Sequence, residues 1–198
     1  MNKATSTSSM KVFCIGFHKT GTTSLDKALQ RLGYNVVGVR HELAQPLMQG
    51  DVQPAINLMK NYDAAQDNPW PLLYKELDTA YPGSKFILSI RDEQAWWESI
   101  RRHFAGKTTQ LRTWIYGVGD PTGEEQRYRR RYRKHNEEVK RYFSGRKDLL
   151  IFHTGKDGWR ELCQFLAKNE PSGPFPHANK GKTWLQRLRR FIRTNIYK

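Results

Sequence analysis

The chain has 198 residues, of which 37% are hydrophobic, which suffices for one sizeable core and argues against a second full domain. No apolar run approaches the roughly 18 residues that a membrane-spanning helix needs, and no charged-then-apolar leader precedes the first predicted strand, so we expect a cytoplasmic protein. The 34 basic and 19 acidic side chains give a net charge of +15, which attracts polyanions. The charge alone does not distinguish whether the partner is nucleic acid, an acidic membrane, an anionic glycan or a phosphorylated small molecule.

The predicted elements alternate between strands and helices after a Ser- and Thr-rich segment, residues 1–10, that we expect to be disordered. The strands are KVFCIG (11–16), YNVVGV (34–39), YDAAQD (62–67), SKFILSI (84–90) and DLLIFHT (148–154). The helices are the stretch from Gly21 to near Gly33, two short stretches before residue 62, PLLYKELDTAY (71–81), DEQAWWESIRRHF (92–104), a long basic helix after GVGDPTG (117–123), and GWRELCQFLAK (158–168). Such alternation predicts an α/β fold with a parallel sheet flanked by helices, which binds ligands beyond the carboxyl ends of its strands.

The basic charge is concentrated in two segments. In the long helix, RYRRRYRK (127–134) lies on a pattern in which Tyr128, Tyr132, Val139 and Phe143 form one packed stripe, so the arginines are expected to point outward. Residues 180–198 carry seven basic side chains and no acidic one, in a pattern typical of an amphipathic helix. That helix either docks on its own domain or contacts an anionic membrane or partner.

The two cysteines, Cys14 and Cys163, lie inside apolar segments and lack the spacing of metal ligands. We expect buried thiols in a reducing compartment.

The first motif is IGFHKTGTTSL, residues 15–25, where a predicted strand turns into a helix. Backbone N–H groups converge at such a turn, and the helix dipole adds partial positive charge, so the turn can hold a phosphate. Gly21 lets the backbone approach the anion, and Thr22, Thr23 and Ser24 supply amides and hydroxyls.

This loop differs from the ATP-binding loop, in which Lys and Ser/Thr directly follow the second glycine. Here Gly16 is followed after four residues by Gly21-Thr22-Thr23, and the lysine lies upstream at Lys19. The lysine and hydroxyl pair that organises Mg-ATP is therefore absent, and we expect the loop to grip a phosphate without metal.

The second motif is SIRDEQAWWESI, in which Arg91 ends the strongest strand and Ser99 follows eight positions later. An arginine at a strand end is suited to a bidentate grip on a phosphate. The alternative is purely structural, with Asp92 capping the helix and Arg91 paired with a carboxylate.

Together the two motifs resemble the sulfotransferases: GFHKTGTTSL is similar to their 5′-phosphosulfate loop and RDEQAWWES to their 3′-phosphate motif. HNEEVKRYF, LLIF with GWRELCQFL, and PFPHAN are similar to compact bacterial-type members, so the resemblance covers most of residues 11–179. It implies a P-loop-like sulfotransferase domain over 11–179 that takes 3′-phosphoadenosine 5′-phosphosulfate (PAPS) as sulfuryl donor and releases adenosine 3′,5′-bisphosphate (PAP), with no metal required.

The resemblance also implies roles for individual residues. Lys19 matches the lysine that contacts the bridging oxygen and offsets charge as the 5′-phosphate leaves, and Arg91 and Ser99 match the 3′-phosphate clamp. The donor-binding positions are His18, Lys19, Thr20, Gly21, Thr22, Thr23, Ser24, Arg91 and Ser99.

The catalytic base is assigned to Asp67. Many sulfotransferases place a histidine or an acid just before a proline, about two dozen residues ahead of the 3′-phosphate arginine, and AAQDNPWP puts Asp67 twenty-four residues before Arg91. Asp67 could instead be a turn former before Asn68-Pro69. His18 and His153 are the rival bases.

The acceptor would be a hydroxyl or amine on a sugar, lipid or small molecule, and the basic helix favours an anionic one. Trp70, Trp96, Trp97 and Trp114 are expected to flank the cleft, mostly as core. A P-loop kinase or NTPase is the first alternative function. A nucleic-acid-binding protein is the second, although no zinc spacing or recognition-helix signature supports specific binding of nucleic acid.

Overall fold

The computed structural model describes residues 10–177, and five short strands there form one fully parallel sheet. The strands are β1 Val12–Cys14, β2 Val36–Val37, β3 Ala64–Ala65, β4 Lys85–Ile90 and β5 Leu149–His153. Their order is β2-β3-β1-β4-β5, so β1 is central, with Phe13 opposite Ala65 on one side and Phe86 on the other. The predicted α/β fold is confirmed, and the loop after β1 opens at the middle of the sheet's carboxyl edge.

Eight α-helices occur within residues 10–177. They are α1 Thr22–Arg31, α2 Ala44–Met48, α3 Gln53–Leu58, α4 Tyr74–Ala80, α5 Glu93–Phe104, α6 Gln110–Tyr116, α7 Glu125–Tyr142 and α8 Trp159–Leu166. Short 3-10 turns cover His41–Leu43, Met59–Asn61 and Trp70–Leu73. Helix α6 was not predicted from the sequence. It has seven residues, begins after Thr109, whose hydroxyl accepts from the Arg112 amide at 3.3 Å, and ends at Gly117 in the left-handed conformation.

The core has two sides because successive β1 side chains point to opposite faces of the sheet. Val12 and Cys14 pack with α1 and α8, whereas Phe13 packs with apolar residues of α4 and α7. Cys14 and Cys163 are both buried free thiols, as predicted, and burial raises the pKa of the Cys14 thiol.

Helix α7 packs through the predicted stripe, because Tyr128, Tyr132, Val139 and the adjoining Phe143 are all buried. Its arginines are less free than the sequence suggests. Three of them form close ion pairs with glutamates: Arg127–Glu124 (2.8 Å), Arg129–Glu93 (3.3 Å), Arg129–Glu125 (2.6 Å) and Arg133–Glu93 (2.7 Å). Much of the positive charge on this helix is therefore neutralised locally.

No helix within residues 10–177 combines the length and the apolar character needed to cross a membrane. The predicted C-terminal helix, 180–198, lies outside the described residues, and so does the predicted disordered segment 1–10 except for Met10. The proposed membrane or partner contact of the C-terminal helix stays a prediction.

Candidate active site

The loop between β1 and α1 is squeezed against the ends of two neighbouring strands. A Cβ on Gly16 would lie 2.1 Å from the Ser89 hydroxyl oxygen of β4. Gly21 has a φ of +90°, and a Cβ there would lie 2.9 Å from the Thr154 side chain just after β5. A side chain at either position would therefore displace the loop from the sheet edge.

Hydrogen bonds hold the inner side of this loop to the sheet. The Thr20 hydroxyl donates to the Phe17 carbonyl at 2.5 Å and shares a 2.7 Å hydrogen bond with the Ser89 hydroxyl. The Thr154 hydroxyl donates to the Thr20 carbonyl, and the Arg91 guanidinium donates to the Lys19 carbonyl at 3.3 Å. The loop is thus shaped by β4 and β5, and the buried Thr20 side chain faces the protein interior.

Helix α1 begins directly after Gly21, so Thr22 and Thr23 provide first-turn amides that have no partner within the helix. The Thr23 side chain is exposed and Ser24 is half-buried. The buried Thr22 hydroxyl donates to Asp67 Oδ2 at 2.9 Å. The start of α1 therefore presents donors to an anion and also contacts the predicted base.

Asp67 lies just beyond β3 at the same sheet edge, with a φ of +66°. Its Oδ1 accepts from the Asn68 amide at 2.8 Å while its Oδ2 accepts from Thr22. Burial raises the pKa of this carboxyl, and the hydrogen bonds from Thr22 and Asn68, with the charge of Lys19, only partly oppose the effect. A carboxylate of raised pKa is a stronger base than an exposed aspartate.

Lys19 occupies a strained position, since its φ of +67° is uncommon for a residue with a side chain. Its ammonium lies 5.9 Å from the centroid of the Phe104 ring. Burial lowers the pKa of Lys19, Asp67 opposes this shift, and Arg91 and Arg102 reinforce it. The lysine is thus partly desolvated at the loop and close to further cations.

Arg91 follows β4 and is braced through its backbone, because the Tyr132 hydroxyl accepts from its amide at 3.0 Å and donates to its carbonyl at 2.9 Å. Asp92 caps α5 by accepting from the Ala95 amide at 2.9 Å. Of the purely structural role considered for this motif, one part is observed, because Asp92 caps the helix. The other part is not, because Arg91 forms no ion pair with any residue in the range 10–177.

The rival base His18 is enclosed by the protein. Its Nδ1 lies 2.5 Å from the side-chain nitrogen Nδ2 of Asn68, and its Nε2 lies 2.9 Å from the Tyr116 hydroxyl. Burial, helped by Arg112, lowers the pKa of His18 to about 3. Both ring nitrogens are therefore engaged, which suits a residue that positions the loop.

The other rival, His153, is exposed at the end of β5, with its Nδ1 3.3 Å from an Asp157 carboxylate oxygen. His135 of α7, which was not predicted to belong to the site, is fully buried. Its Nε2 donates to the Ile15 carbonyl at 2.7 Å, and its ring stacks on Phe17 at 4.2 Å. His135 thus supports the loop from beneath.

One cleft of about 1020 Å³ at the sheet edge brings these residues together. The predicted site residues that line it are His18, Lys19, Gly21, Thr22, Thr23, Ser24, Asp67, Arg91 and Ser99. Thr20 does not line it, since its side chain points inward. The cleft is thus lined by residues of both motifs and by the predicted base, although these are distant from one another in sequence.

The cleft also contains cations that were not predicted from the sequence. Arg102, Lys107 and Arg112 join Lys19 and Arg91 there, against a single carboxylate from Asp67. None of the five cations forms an ion pair with another residue in the described part of the chain. The helical spacing from Ser99 could have suggested Arg102, whereas Arg112 depends on the unpredicted α6. Unpaired positive charge therefore accumulates in the cleft, where it attracts anions.

The four tryptophans expected to flank the cleft are absent from its lining. Trp70, Trp96 and Trp97 are buried in the core, and no tryptophan of residues 10–177 lines the cleft. Phe104, at the end of α5, is the aromatic residue there. Within the same range, no group of three or more His, Cys, Asp or Glu residues is arranged to hold a metal ion.

Comparisons with known proteins identify the family and support the fold of this chain. The chain is similar to a sulfotransferase from Alicyclobacillus acidocaldarius. The two structures superpose with a TM-score of 0.55, and the matched region covers 93% of this chain and 92% of the other, at 18% sequence identity. It is 24% identical to Ava biosynthesis cluster protein M of Aspergillus versicolor, over 85% of this chain and 80% of that protein. The sequence pattern described as "Sulfotransferase domain" matches residues 11–123 and 108–184, more than half of the chain. The chain belongs to the sulfotransferase family.

Proposed function

We propose that this sulfotransferase takes PAPS as its donor and transfers the sulfuryl group to a hydroxyl or amine of a sugar, lipid or small molecule. The observation that carries the proposal is the meeting of three groups in one cleft: the loop with Lys19, the strand-end Arg91, and the Asp67 carboxylate. In this loop Gly21 is not followed by Lys and Ser/Thr, which argues against a kinase or NTPase that binds Mg-ATP.

The residues present fit such a donor. The left-handed Gly21 packs against Thr154 without a side chain, which brings the loop backbone and the first-turn amides of Thr22 and Thr23 to the cleft. These amides would hold the 5′-phosphosulfate end. Arg91 and Ser99, both at the cleft, would hold the 3′-phosphate.

The chemistry that PAPS supplies when bound is an activated sulfuryl group on a phosphate leaving group. The chain supplies positioning and charge, as in phosphoryl transfer. Asp67 would accept the proton of the acceptor hydroxyl or amine as the new bond to sulfur forms, and its raised pKa favours that transfer. The Lys19 ammonium would offset the negative charge that grows on the departing 5′-phosphate.

His18 would act as a positioning residue in this reaction. It joins Asn68, the neighbour of Asp67, to Tyr116 of α6, while its backbone belongs to the donor loop. It therefore connects the base to the loop without itself exchanging a proton near neutral pH, since its pKa lies at about 3.

The test is calorimetry with PAP in the presence of a metal chelator, followed by sulfate transfer from labelled PAPS to cell-extract acceptors. Tight binding of PAP without metal and transfer of the label are expected. The matched comparison is Mg-ATP, which should bind far more weakly because the hydroxyl and lysine pair for magnesium is absent. Binding of Mg-ATP but not of PAP would overturn the proposal.

A further inference from the structure

Three cations at the cleft, Arg102, Lys107 and Arg112, have no role in the donor site described above, and two of them, Lys107 and Arg112, lie beyond the end of α5. Lys107 lies in the turn after α5, and Arg112 lies in α6. We propose that this pair binds an anionic group of the acceptor (a carboxylate, sulfate or phosphate), so that the enzyme prefers acceptors that already carry negative charge. This inference rests on the proposed function and names the class of acceptor.

Arg112 is a buried cation, 6% exposed, that lacks a buried anion. Its Nε donates to the Gly119 carbonyl at 2.7 Å and its Nη2 to the Lys107 carbonyl at 2.5 Å. These carbonyls orient the guanidinium without cancelling its charge, and Arg112 forms no ion pair with any residue between 10 and 177. Because buried charges are normally paired, this one is suited to an anion supplied by a ligand.

The acid associated with this region, Asp120, does not fill that role. Its carboxylate accepts from the Thr122 amide at 2.9 Å, the Thr122 hydroxyl at 2.7 Å and the Gly106 amide at 3.0 Å. These bonds, above all those from Thr122, lower the pKa of Asp120, and Arg112 contributes a smaller share. Asp120 is thus already hydrogen-bonded to residues of its own loop and to Gly106, and it does not line the cleft.

Phe104 places Arg112 close to the proposed reaction centre. The ring centroid lies 4.5 Å from Arg112 Cζ, 5.9 Å from Lys19 Nζ and 5.1 Å from the His18 ring. The two cations therefore share one aromatic ring. A molecule whose anionic group is held at Arg112 could therefore extend along Phe104 to Lys19, where the sulfuryl group would be transferred.

Arg102 is assigned differently. It lies three residues after Ser99 on α5, so the two residues share a helix face at the cleft, and Arg102 would hold the 3′-phosphate together with Arg91 and Ser99. Lys107 and Arg112 come after α5 has ended and are joined to each other by the bond from Arg112 to the Lys107 carbonyl. The cations of the cleft thus divide into a donor group and an acceptor pair.

Lys107 complements the buried guanidinium from the surface. It is exposed, and its ammonium donates to the His103 carbonyl at 3.3 Å. The apolar side chains of Phe104, Leu111 and Val39 also line the cleft. The expected acceptor therefore combines an apolar body with an anionic group.

The test uses the protein saturated with PAP, so that the donor sites are filled, and titrates phenylacetate against its neutral counterpart phenylacetamide by calorimetry. Phenylacetate is expected to bind about tenfold more tightly than phenylacetamide. Lys107→Gln should weaken phenylacetate about threefold to tenfold and leave phenylacetamide unchanged. Lys140→Gln removes the same charge from an exposed position on α7 and should change neither.

Lys107 is exposed, so its variant is expected to fold, and Lys107→Arg should restore phenylacetate binding. Equal binding of acid and amide, no detectable binding of phenylacetate, or no effect of Lys107→Gln would overturn the inference. A loss of PAP affinity in Lys107→Gln would also overturn it, by placing this cation in the donor site. Failure of the wild-type protein to bind PAP at the outset would instead refute the proposed function.

Discussion

Replacing Asp67 with asparagine is the sharpest test of the proposed chemistry, because the structure allows the carboxylate to be removed with little disturbance. Asparagine tolerates the left-handed backbone at φ +66° about as well as aspartate does. Its side-chain carbonyl can still accept from the Asn68 amide, and the Thr22 hydroxyl can reverse its role and accept from the new NH₂ group. The fold and the donor loop should therefore survive.

The expected loss is specific to proton transfer. A general base contributes roughly 100-fold to 10,000-fold, so turnover should fall at least about 100-fold, or about 2.7 kcal/mol of transition-state stabilisation. PAP affinity should stay within about twofold, since the donor contacts are retained. In the wild type, turnover should also fall as the pH drops through the raised pKa of Asp67, because the base becomes protonated, and the variant should lack this acidic limb.

The assay measures transfer of labelled sulfate across pH and, separately, PAP binding by calorimetry. The loss should shrink with an acceptor acidic enough to ionise by itself, such as a nitrophenol. Near-normal turnover of Asp67→Asn, with PAP affinity and thermal stability retained, would show that Asp67 is a turn former. If His153→Ala then abolished turnover in a folded protein, the base would be His153.

Three further outcomes follow from contacts in and beneath the loop. Arg91→Ala should weaken PAP by about 1.5 to 3 kcal/mol and adenosine 5′-phosphate much less, and calorimetry showing equal losses would contradict a 3′-phosphate clamp. Gly16→Ala should lower the free energy of unfolding in urea by about 1 to 3 kcal/mol and weaken PAP, because the new methyl group would overlap Ser89; unchanged stability would contradict that packing. Burial lowers the pKa of His135 to about 3, so protonation of the unfolded state near pH 6.5 should remove stability progressively as the pH falls toward 3. From pH 7 to 5 this amounts to about 2 kcal/mol, and urea unfolding of His135→Gln should show a correspondingly flatter pH dependence.

Much of the candidate site could be predicted from the sequence because its motifs are short and continuous in the chain. The loop from Ile15 to Leu25 combines an apolar strand, spaced glycines and hydroxyls, and the pattern of SKFILSI placed Arg91 at a strand end. Five parallel strands then bring these ends to one edge of the sheet, as alternation of strands and helices predicts.

The remainder depends on contacts between distant residues. The arginines of α7 were read as an exposed basic face, but Arg129 and Arg133 pair with Glu93, 36 and 40 residues away in sequence. Conversely, Arg112 lies in a helix of seven residues, which is too short to be recognised from hydrophobic periodicity. Within residues 10–177 it forms no ion pair and instead donates to backbone carbonyls, a contact that the sequence does not indicate. Net charge therefore showed how much positive charge exists but not where it stays unneutralised.

The hydrogen bonds along the inner side of the donor loop have a thermodynamic consequence. Because Thr154, Ser89 and Arg91 already hold the carbonyls and the hydroxyl of residues 19 and 20, the loop would not have to become ordered to bind the proposed donor. Such preorganisation spares the conformational entropy that a flexible glycine-rich segment would lose, on the order of 1–2 kcal/mol for each residue fixed. If the loop holds the proposed donor, its affinity for that donor therefore depends in part on residues of β4 and residues just beyond β4 and β5 that hydrogen-bond to the loop.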